Sequence, residues 1–317
     1  MLTFQTSEHI PKGHKNIYDT IIIGAGPAGL TAAIYLRRAN KSVLVLEKET
    51  FGGQITHSPK VENYPGFMSV SGVEFADKLV EQAMAQGADI DLDEARGIAK
   101  ENDVFTVTGD RCTYQSKTVI LATGSKHRTL GLAGEEKFTG EGISYCAVCD
   151  GAFYKDTDIA VIGGGNSALQ EAILLSKTSK SVTVIENLPF LTGESKLIEQ
   201  IEGTENISVI LSSVVTEILG TDKFEGIRIR NEETGEESEL SFNGIFVAIG
   251  QKPENESFRD AVSLDERGYI TADESCIPEG ESGIFVAGDC RSKAVRQIAT
   301  AISDGAAASV AVCRYLG

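Results

Sequence analysis

Two stretches of this chain repeat one order of apolar and polar positions. Tyr18–Ile23 is an apolar run that ends in Gly24-Ala25-Gly26-Pro27-Ala28-Gly29, and a helical pattern follows through Leu30, Ala33, Tyr35 and Leu36. Ser42–Glu47 then carries four consecutive apolar residues, Val43 to Leu46. Short continuous apolar runs bounded by turn residues predict strands covered on both faces, as in a parallel sheet. The order returns later as Ile159–Ile162, the turn Gly163-Gly164-Gly165-Asn166-Ser167-Ala168, a helix over Leu169–Leu175 and a strand at Val182–Glu186. The copies register without a gap, since positions 24, 26, 29 and 47 become 163, 165, 168 and 186, each displaced by 139. One such unit could arise from abundant glycine. Two in register, each closing on a glutamate, predict two β-α-β units built to one plan.

Three further segments fix the organisation. Val119–Gly124 and Ile245–Gly250 each read as a strand meeting a glycine turn, and Ile284–Asp289 precedes a helix expected near Gln297–Leu316. The first two are read as crossing points. The predicted fold is therefore α/β, with two Rossmann-like, three-layer nucleotide-binding domains, the second inserted into the first. Residues 1–125 and 251–317 make the discontinuous outer domain and 126–250 the inserted one. The acidic stretch Asn231–Glu239, with Gly235, reads as a surface hairpin.

Composition narrows the function. A chain of 317 residues suits two domains of ordinary size, and its 33 glycines exceed the usual share of about 7%. That excess points to close backbone approaches, for which ligand phosphates are the usual reason. A net charge of −17 argues against nucleic acid as a partner and disfavours anionic membrane surfaces, because both need clustered Lys and Arg. The polar leader Met1–Asn16 lacks the apolar segment of a signal peptide and reads as a disordered tail. No apolar run approaches the ~20 residues that span a bilayer. Six cysteines lie at 112, 146, 149, 276, 290 and 313, a scatter unlike a secreted disulfide framework. The expected location is the cytoplasm.

The first glycine turn has the chemistry of a dinucleotide site. Gly24 permits the tight turn, Gly26 lets the backbone approach a pyrophosphate, and Gly29 lets the helix pack on the strand. The helix N-terminus faces the phosphates with free N–H groups, and Glu47, 23 residues after Gly24, is placed to accept from ribose hydroxyls. Asp289, ending a predicted strand after Gly288, could hold a polyol chain or serve as an ordinary helix cap. In Cys146-Ala147-Val148-Cys149-Asp150 the two thiols could close a small disulfide or bind a metal. Zinc would need two more ligands, yet there is no second Cys-x-x-Cys and only four histidines, of which His127 is nearest, so no metal is expected. Asp150 can exchange the proton that dithiol chemistry requires. The other cysteines are read as small buried apolar residues.

By these residues the chain resembles the low-molecular-weight bacterial thioredoxin reductases, over about residues 17 to 316. The matching segments are Gly24–Gly29, Gly52-Gly53-Gln54, Glu62-Asn63-Tyr64-Pro65-Gly66, Ala122-Thr123-Gly124, Cys146–Gly151, and Gly288-Asp289 with Arg291, Lys293, Arg296 and Gln297. The resemblance implies a homodimer with bound FAD. Glu47 would hold the adenosine ribose, and Gln54, Asn63, Asp289 and Gln297 would lie along the flavin and its ribityl chain; Gly53, Thr123, Gly124 and Arg296 complete the implied cofactor set. It also implies that Cys149 faces the flavin, that Cys146 attacks thioredoxin, and that Asp150 is the acid. The inserted domain would rotate about hinges near Gly124 and Gly250.

One departure concerns the second nucleotide site. NADPH-dependent members carry His-Arg-Arg-x-x-x-Arg after the second strand, where this chain has Glu186-Asn187-Leu188-Pro189-Phe190-Leu191-Thr192. No basic residue remains, and each charge-assisted hydrogen bond to a 2′-phosphate is worth roughly 1.5–3 kcal/mol. NADPH is disfavoured. The turn residues Gly163, Gly165 and Ala168 together with Glu186 favour NADH, since a Rossmann acid prefers a free 2′-hydroxyl. A vestigial site with ferredoxin as donor is the alternative, and Arg291, Lys293, Arg296 or Lys155 would then supply its basic patch. Two other readings stay open: a dithiol oxidase passing electrons to oxygen, and a flavin-binding redox sensor.

Overall fold

The computed structural model describes residues 17–58, 61–280 and 282–317; the leader read above as a disordered tail lies outside the described residues. Three successive isoleucines favour a pleated, covered conformation and lie in β1 (Tyr18–Ile23). The chain turns at Gly24 into α1 (Pro27–Arg38), where Pro27 occupies the first turn and its missing N–H costs nothing. β2 (Val43–Glu47) is buried at every position, as its unbroken apolar run requires. α2 (Gly72–Ala85), capped by the Ser71 side chain, leads to β3 (Asp89–Leu92). The meander β4 (Ala95–Glu101), β5 (Val104–Gly109) and β6 (Thr113–Leu121) follows.

The inserted segment opens with β7 (Ser125–His127), α3 (Glu135–Phe138), β8 (Ile143–Ser144) and the single turn α4 (Ala147–Asp150). β9 (Asp158–Ile162), α5 (Asn166–Ser176) and β10 (Ser181–Ile185) form the second β-α-β unit. α5 begins at Asn166 rather than at the expected Leu169. The reason is that Gly165, in extended conformation (φ −85°, ψ 177°), opens it directly, as Gly26 (φ −77°, ψ −178°) opens α1. Then come α6 (Ser195–Glu202), β11 (Ile207–Ile210), β12 (Ser213–Leu219), β13 (Gly226–Asn231), β14 (Glu237–Ser241), β15 (Gly244–Val247) and β16 (Gln251–Pro253). The acidic stretch is indeed the β13–β14 hairpin, its turn tied by Asn231 Oδ1, which accepts from Glu233 N and Thr234 N. The chain ends with β17 (Ile284–Val286) and α7 (Ile298–Leu316).

Contacts divide the chain into two units. The described residues 17–58, 70–125 and 253–317 form the first, and 61–69 with 126–252 the second. Residues 61–69, placed by sequence proximity in the outer domain, thus group with the inserted one.

In the first unit β3, β2, β1 and β6 run parallel; β5 and β4 extend the sheet antiparallel from the start of β6, and β17 pairs with its end. The period of two divides the core. Ile22, Val45 and Ile120 face α1 and α7 with Leu30, Leu36 and Val312, while Ile21, Ile23, Leu44, Leu46 and Leu121 face Phe258 and Ile270. In the second unit the parallel sheet β11-β10-β9-β15-β8 has α5 on one face, with Leu169 and Leu175 against Val161 and Val184. The antiparallel sheet β12-β13-β14 covers the other, with Ile227 and Ile229 against Ile162 and Ile245. This is a three-layer α/β architecture in both halves of the repeat. Among the described residues no helix is long and apolar enough to cross a membrane.

Candidate functional site

The first glycine turn is held by Gly24 N, which donates to Leu46 O at 2.8 Å. At Gly24 (φ 109°) a Cβ would stand 2.2 Å from Ala122 O, and at Gly29 one would stand 1.9 Å from Gly24 O. A Cβ at Gly26, by contrast, would meet only Gly52 O at 3.9 Å, so backbone there is open to a ligand. Gly53 lies alongside, its Cβ position 3.3 Å from Gly26 Cα. Glu47 is only 8% exposed; its Oε2 accepts from Ala25 N at 2.8 Å and its Oε1 from Lys48 N and Glu49 N at 2.9 Å each. A carboxylate offers about four acceptor positions, so three backbone donors leave room for a ribose hydroxyl. Gly24→Ala should therefore cost about 3 kcal/mol through strain and overlap. The expected result is a melting midpoint lowered by roughly 5–10 °C, with loss of bound flavin, read by thermal unfolding and absorbance.

Asp289 follows β17 and the Gly288 turn. Its Oδ1 is closed off from solvent without a hydrogen bond, and Lys293 Nζ stands 3.7 Å away. Burial pushes this carboxyl up, against the pull of Lys293 and then Arg296. A buried acceptor left open in this way suits a polyol that brings its own hydroxyl donors. The glycine cradle, the acceptor position left open on Glu47 and this orphaned oxygen fit a flavin dinucleotide.

The redox segment lies in the second unit. Cys146 and Cys149 are joined as a disulfide across α4, with Cα atoms 5.3 Å apart. Cys146 is the N-cap of that turn, and its Sγ accepts from Cys149 N at 3.2 Å, a bond that favours a thiolate at this sulfur. Asp150 Oδ2 accepts from Ser144 Oγ at 2.7 Å, while Oδ1 is buried without a partner. Burial pushes the Asp150 carboxyl up and the Ser144 bond partly offsets this, so the proton is retained closer to neutrality than on an ordinary aspartate. Among the described residues no group of three or more His, Cys, Asp or Glu is placed to hold a metal ion.

At the second glycine turn Gly163 has φ 122° and Gly163 N donates to Ile185 O at 2.8 Å, repeating the first. Ala168 is fully buried where Gly29 stood. Glu186 is 5% exposed and accepts through Oε1 from Leu188 N at 3.0 Å, fewer backbone donors than Glu47 takes. Thr192 N and Gly193 N donate to Gly164 O, which folds the 187–193 loop over the turn. In that loop Leu188 and Phe190 are 38% and 58% exposed.

The other expected residues fare differently. Gln54 and Asn63 are exposed, and Asn63 belongs to the segment grouped with the second unit. Gln297 is the N-cap of α7 in a reciprocal box with Thr300. Arg296 donates to Asp289 O and Arg291 O, and its guanidinium lies 4.0 Å from the centre of the Tyr269 ring. Gly124 has φ 72°. Thr123 Oγ1 is bound to Asn255 Oδ1 at 2.7 Å, and Asn255, wholly buried, also donates to Gly268 O and Cys290 O. Two members of the expected basic patch are corrected: Arg291 is 5% exposed and the Lys293 side chain 6%, both paired with buried Asp304, so neither is a surface charge, whereas Arg296 is half-buried and Lys155 is exposed. Cys276 and Cys290 are buried as expected, whereas Cys112 and Cys313 are half-buried because they sit at the edges of the core.

Sequence reading missed two acids. Glu135 is buried and accepts from Leu130 N, Gly131 N and Tyr145 OH, fastening the residue before Cys146. Glu171 on α5 is pushed up to about 7 by burial, with Oε2 unpartnered. It lies one helical turn before Leu175, whose side chain meets Gly151. Neither has a local sequence signal.

Residues 18–305 match the family described as Pyridine nucleotide-disulphide oxidoreductase. A thioredoxin reductase of Mycolicibacterium smegmatis is 41% identical over 303 residues, covering 95% of this chain and 97% of that one. The chain belongs to the low-molecular-weight thioredoxin reductase family. Another relative, the "34.2 kDa protein in rubredoxin operon" of Clostridium pasteurianum, is 41% identical over 94% of this chain and 97% of its own. The solved thioredoxin reductase of Streptococcus pyogenes MGAS5005 is 40% identical, with a TM-score of 0.90 over 95% of this chain and 98% of that one.

Proposed function

We propose that the chain is a thioredoxin-disulfide reductase in which the first unit holds FAD and the second carries the Cys146–Cys149 couple. The observation that carries this reading is the disulfide itself, closed in a turn that presents a buried, proton-retaining Asp150. FAD, when bound, supplies the two-electron carrier between donor and disulfide. Once reduced, Cys146 attacks a sulfur of the partner disulfide, forming a mixed disulfide and releasing one partner thiolate, which Asp150 protonates. Cys149 then attacks the Cys146 sulfur, releases the second partner thiol and restores the disulfide. Gly124 and Gly250, with φ 72° and 104°, are the proposed pivots, and the working form is a homodimer, as the family resemblance implies.

The preferred donor is NADH. Glu186 keeps free acceptor capacity for a 2′-hydroxyl and would repel a 2′-phosphate, and the exposed side chains Leu188 and Phe190 offer that phosphate no charge. A reduced iron–sulfur or rubredoxin-like protein is the second reading, favoured by the Clostridium relative named for a rubredoxin operon. Anaerobic mixing of the oxidised protein with NADH, NADPH or reduced ferredoxin, followed by oxidised thioredoxin, separates these. NADH is expected to bleach the flavin about tenfold faster than NADPH or more, since one lost charged hydrogen bond already amounts to that factor. Thioredoxin should then restore the colour. Faster bleaching by NADPH would overturn the donor assignment, and colour that thioredoxin does not restore would overturn the substrate.

A further inference from the structure

Asp304, buried in α7, collects more positive charge than it needs. Arg291 binds it twice, Nε to Oδ2 and Nη2 to Oδ1 at 2.9 Å each, and Gly288 N donates to Oδ2 at 3.0 Å. That bidentate pair already neutralises the carboxylate. Lys293 Nζ nevertheless donates to the same Oδ2 at 3.0 Å, with only 6% of its side chain exposed. A second buried cation has no counter-charge in this pair, and an unpaired buried cation is costly. Its other neighbour is Asp289 Oδ1 at 3.7 Å, the oxygen closed off from solvent without a hydrogen bond. The charges balance if Asp289 is ionised.

We propose that Lys293, clamped by Asp304, is the counter-charge that holds Asp289 as a hydrogen-bond acceptor for the polyol chain of the flavin nucleotide. This rests on the FAD reading above. Lys293 is a positioning residue: it acts on the ligand only through Asp289. The charged and titratable groups around Asp289 are Lys293, Arg296 and Asp304, with the buried thiol of Cys290 beside it in the chain. Burial pushes the Asp289 carboxyl up, Lys293 and then Arg296 draw it down, and Asp304 pushes it up again. Burial already outweighs the two cations, so removing the ammonium raises this carboxyl further. Asp289 would take up its proton at a higher pH, and its strength as an acceptor would be lost as pH falls through that point.

The test uses the FAD-loaded full chain as wild type, Lys293→Met and Lys293→Arg, diluted between about pH 5.5 and 8.5, with released FAD read by its fluorescence. Wild type and Lys293→Arg should share one pH profile. Lys293→Met should weaken by about tenfold or more toward the acid end, the factor set by one unit of carboxyl shift. If the methionine variant does not fold, Lys293→Gln keeps a hydrogen bond to Asp304 without the charge and should show the same acid-side loss. Parallel pH profiles for wild type and the neutral variants would make Lys293 merely structural and sink this proposal alone. A wild-type chain that holds no FAD at any pH would sink the flavin reading, and this one with it.

Discussion

Cys146→Ser is expected to lower thioredoxin reduction by roughly 10³-fold or more, while its flavin is still bleached by the donor. A serine hydroxyl neither closes the disulfide nor attacks one. Cys149→Ser should fail equally in turnover but differently in chemistry. It leaves the Cys146 sulfur, which accepts the N–H of residue 149 at 3.2 Å, free to attack, so the reaction stops at the mixed disulfide. A covalent adduct with oxidised thioredoxin should accumulate with Cys149→Ser and be absent with Cys146→Ser, as a gel without reductant would show. The reverse pattern would exchange the two roles. Turnover that persists in Cys146→Ser would remove the disulfide from the reaction altogether.

Asp150→Asn is expected to cut turnover by about 10²–10⁴-fold, the usual range for a positioned acid. Burial of this carboxyl raises its affinity for the proton, so wild-type activity should decline as pH rises through that raised value. The asparagine variant should lose that limb. Ser144→Ala, which removes the 2.7 Å bond that favours the ionised form, should move the limb to higher pH. The effect of Asp150→Asn on stability should have the opposite sign to its effect on turnover. The folded chain holds this proton more tightly than the unfolded chain, so Asp150 destabilises the fold increasingly as pH rises above the ordinary carboxylate range. Asp150→Asn should therefore melt higher than wild type at neutral pH, with the difference closing as pH falls toward that range. A variant that melts lower at neutral pH would mean the carboxyl is supported by groups other than Ser144.

Glu47 shows how far local sequence goes. Its spacing from Gly24 placed it beside the first glycine turn, where it accepts from Ala25 N; but two further backbone N–H groups also hold it, which spacing does not reveal. The two β-α-β units, the redox turn and the β13–β14 hairpin were legible for the same reason. Each depends on constraints between near neighbours: a positive φ that suits glycine, an apolar run that must be covered on both faces, two thiols within reach of each other. Even the start of α5 was misjudged only by the length of its turn.

Partners distant in the chain were not legible. Arg291 and Lys293 looked like surface charges until α7 brought Asp304 against them. Thr123 and Asn255 are 132 positions apart, and nothing near Asn255 marks it as a wholly buried tie between segments. Residues 61–69 follow the first unit in sequence yet group with the second. The sequence by itself determined the two nucleotide-type turns, the reactive sulfur pair and the absence of a basic grip at 186–192. Only the tertiary structure decided which charged groups are buried, which are cancelled and which carboxyl oxygen is left open, because desolvation and pairing depend on what packing brings together across the chain.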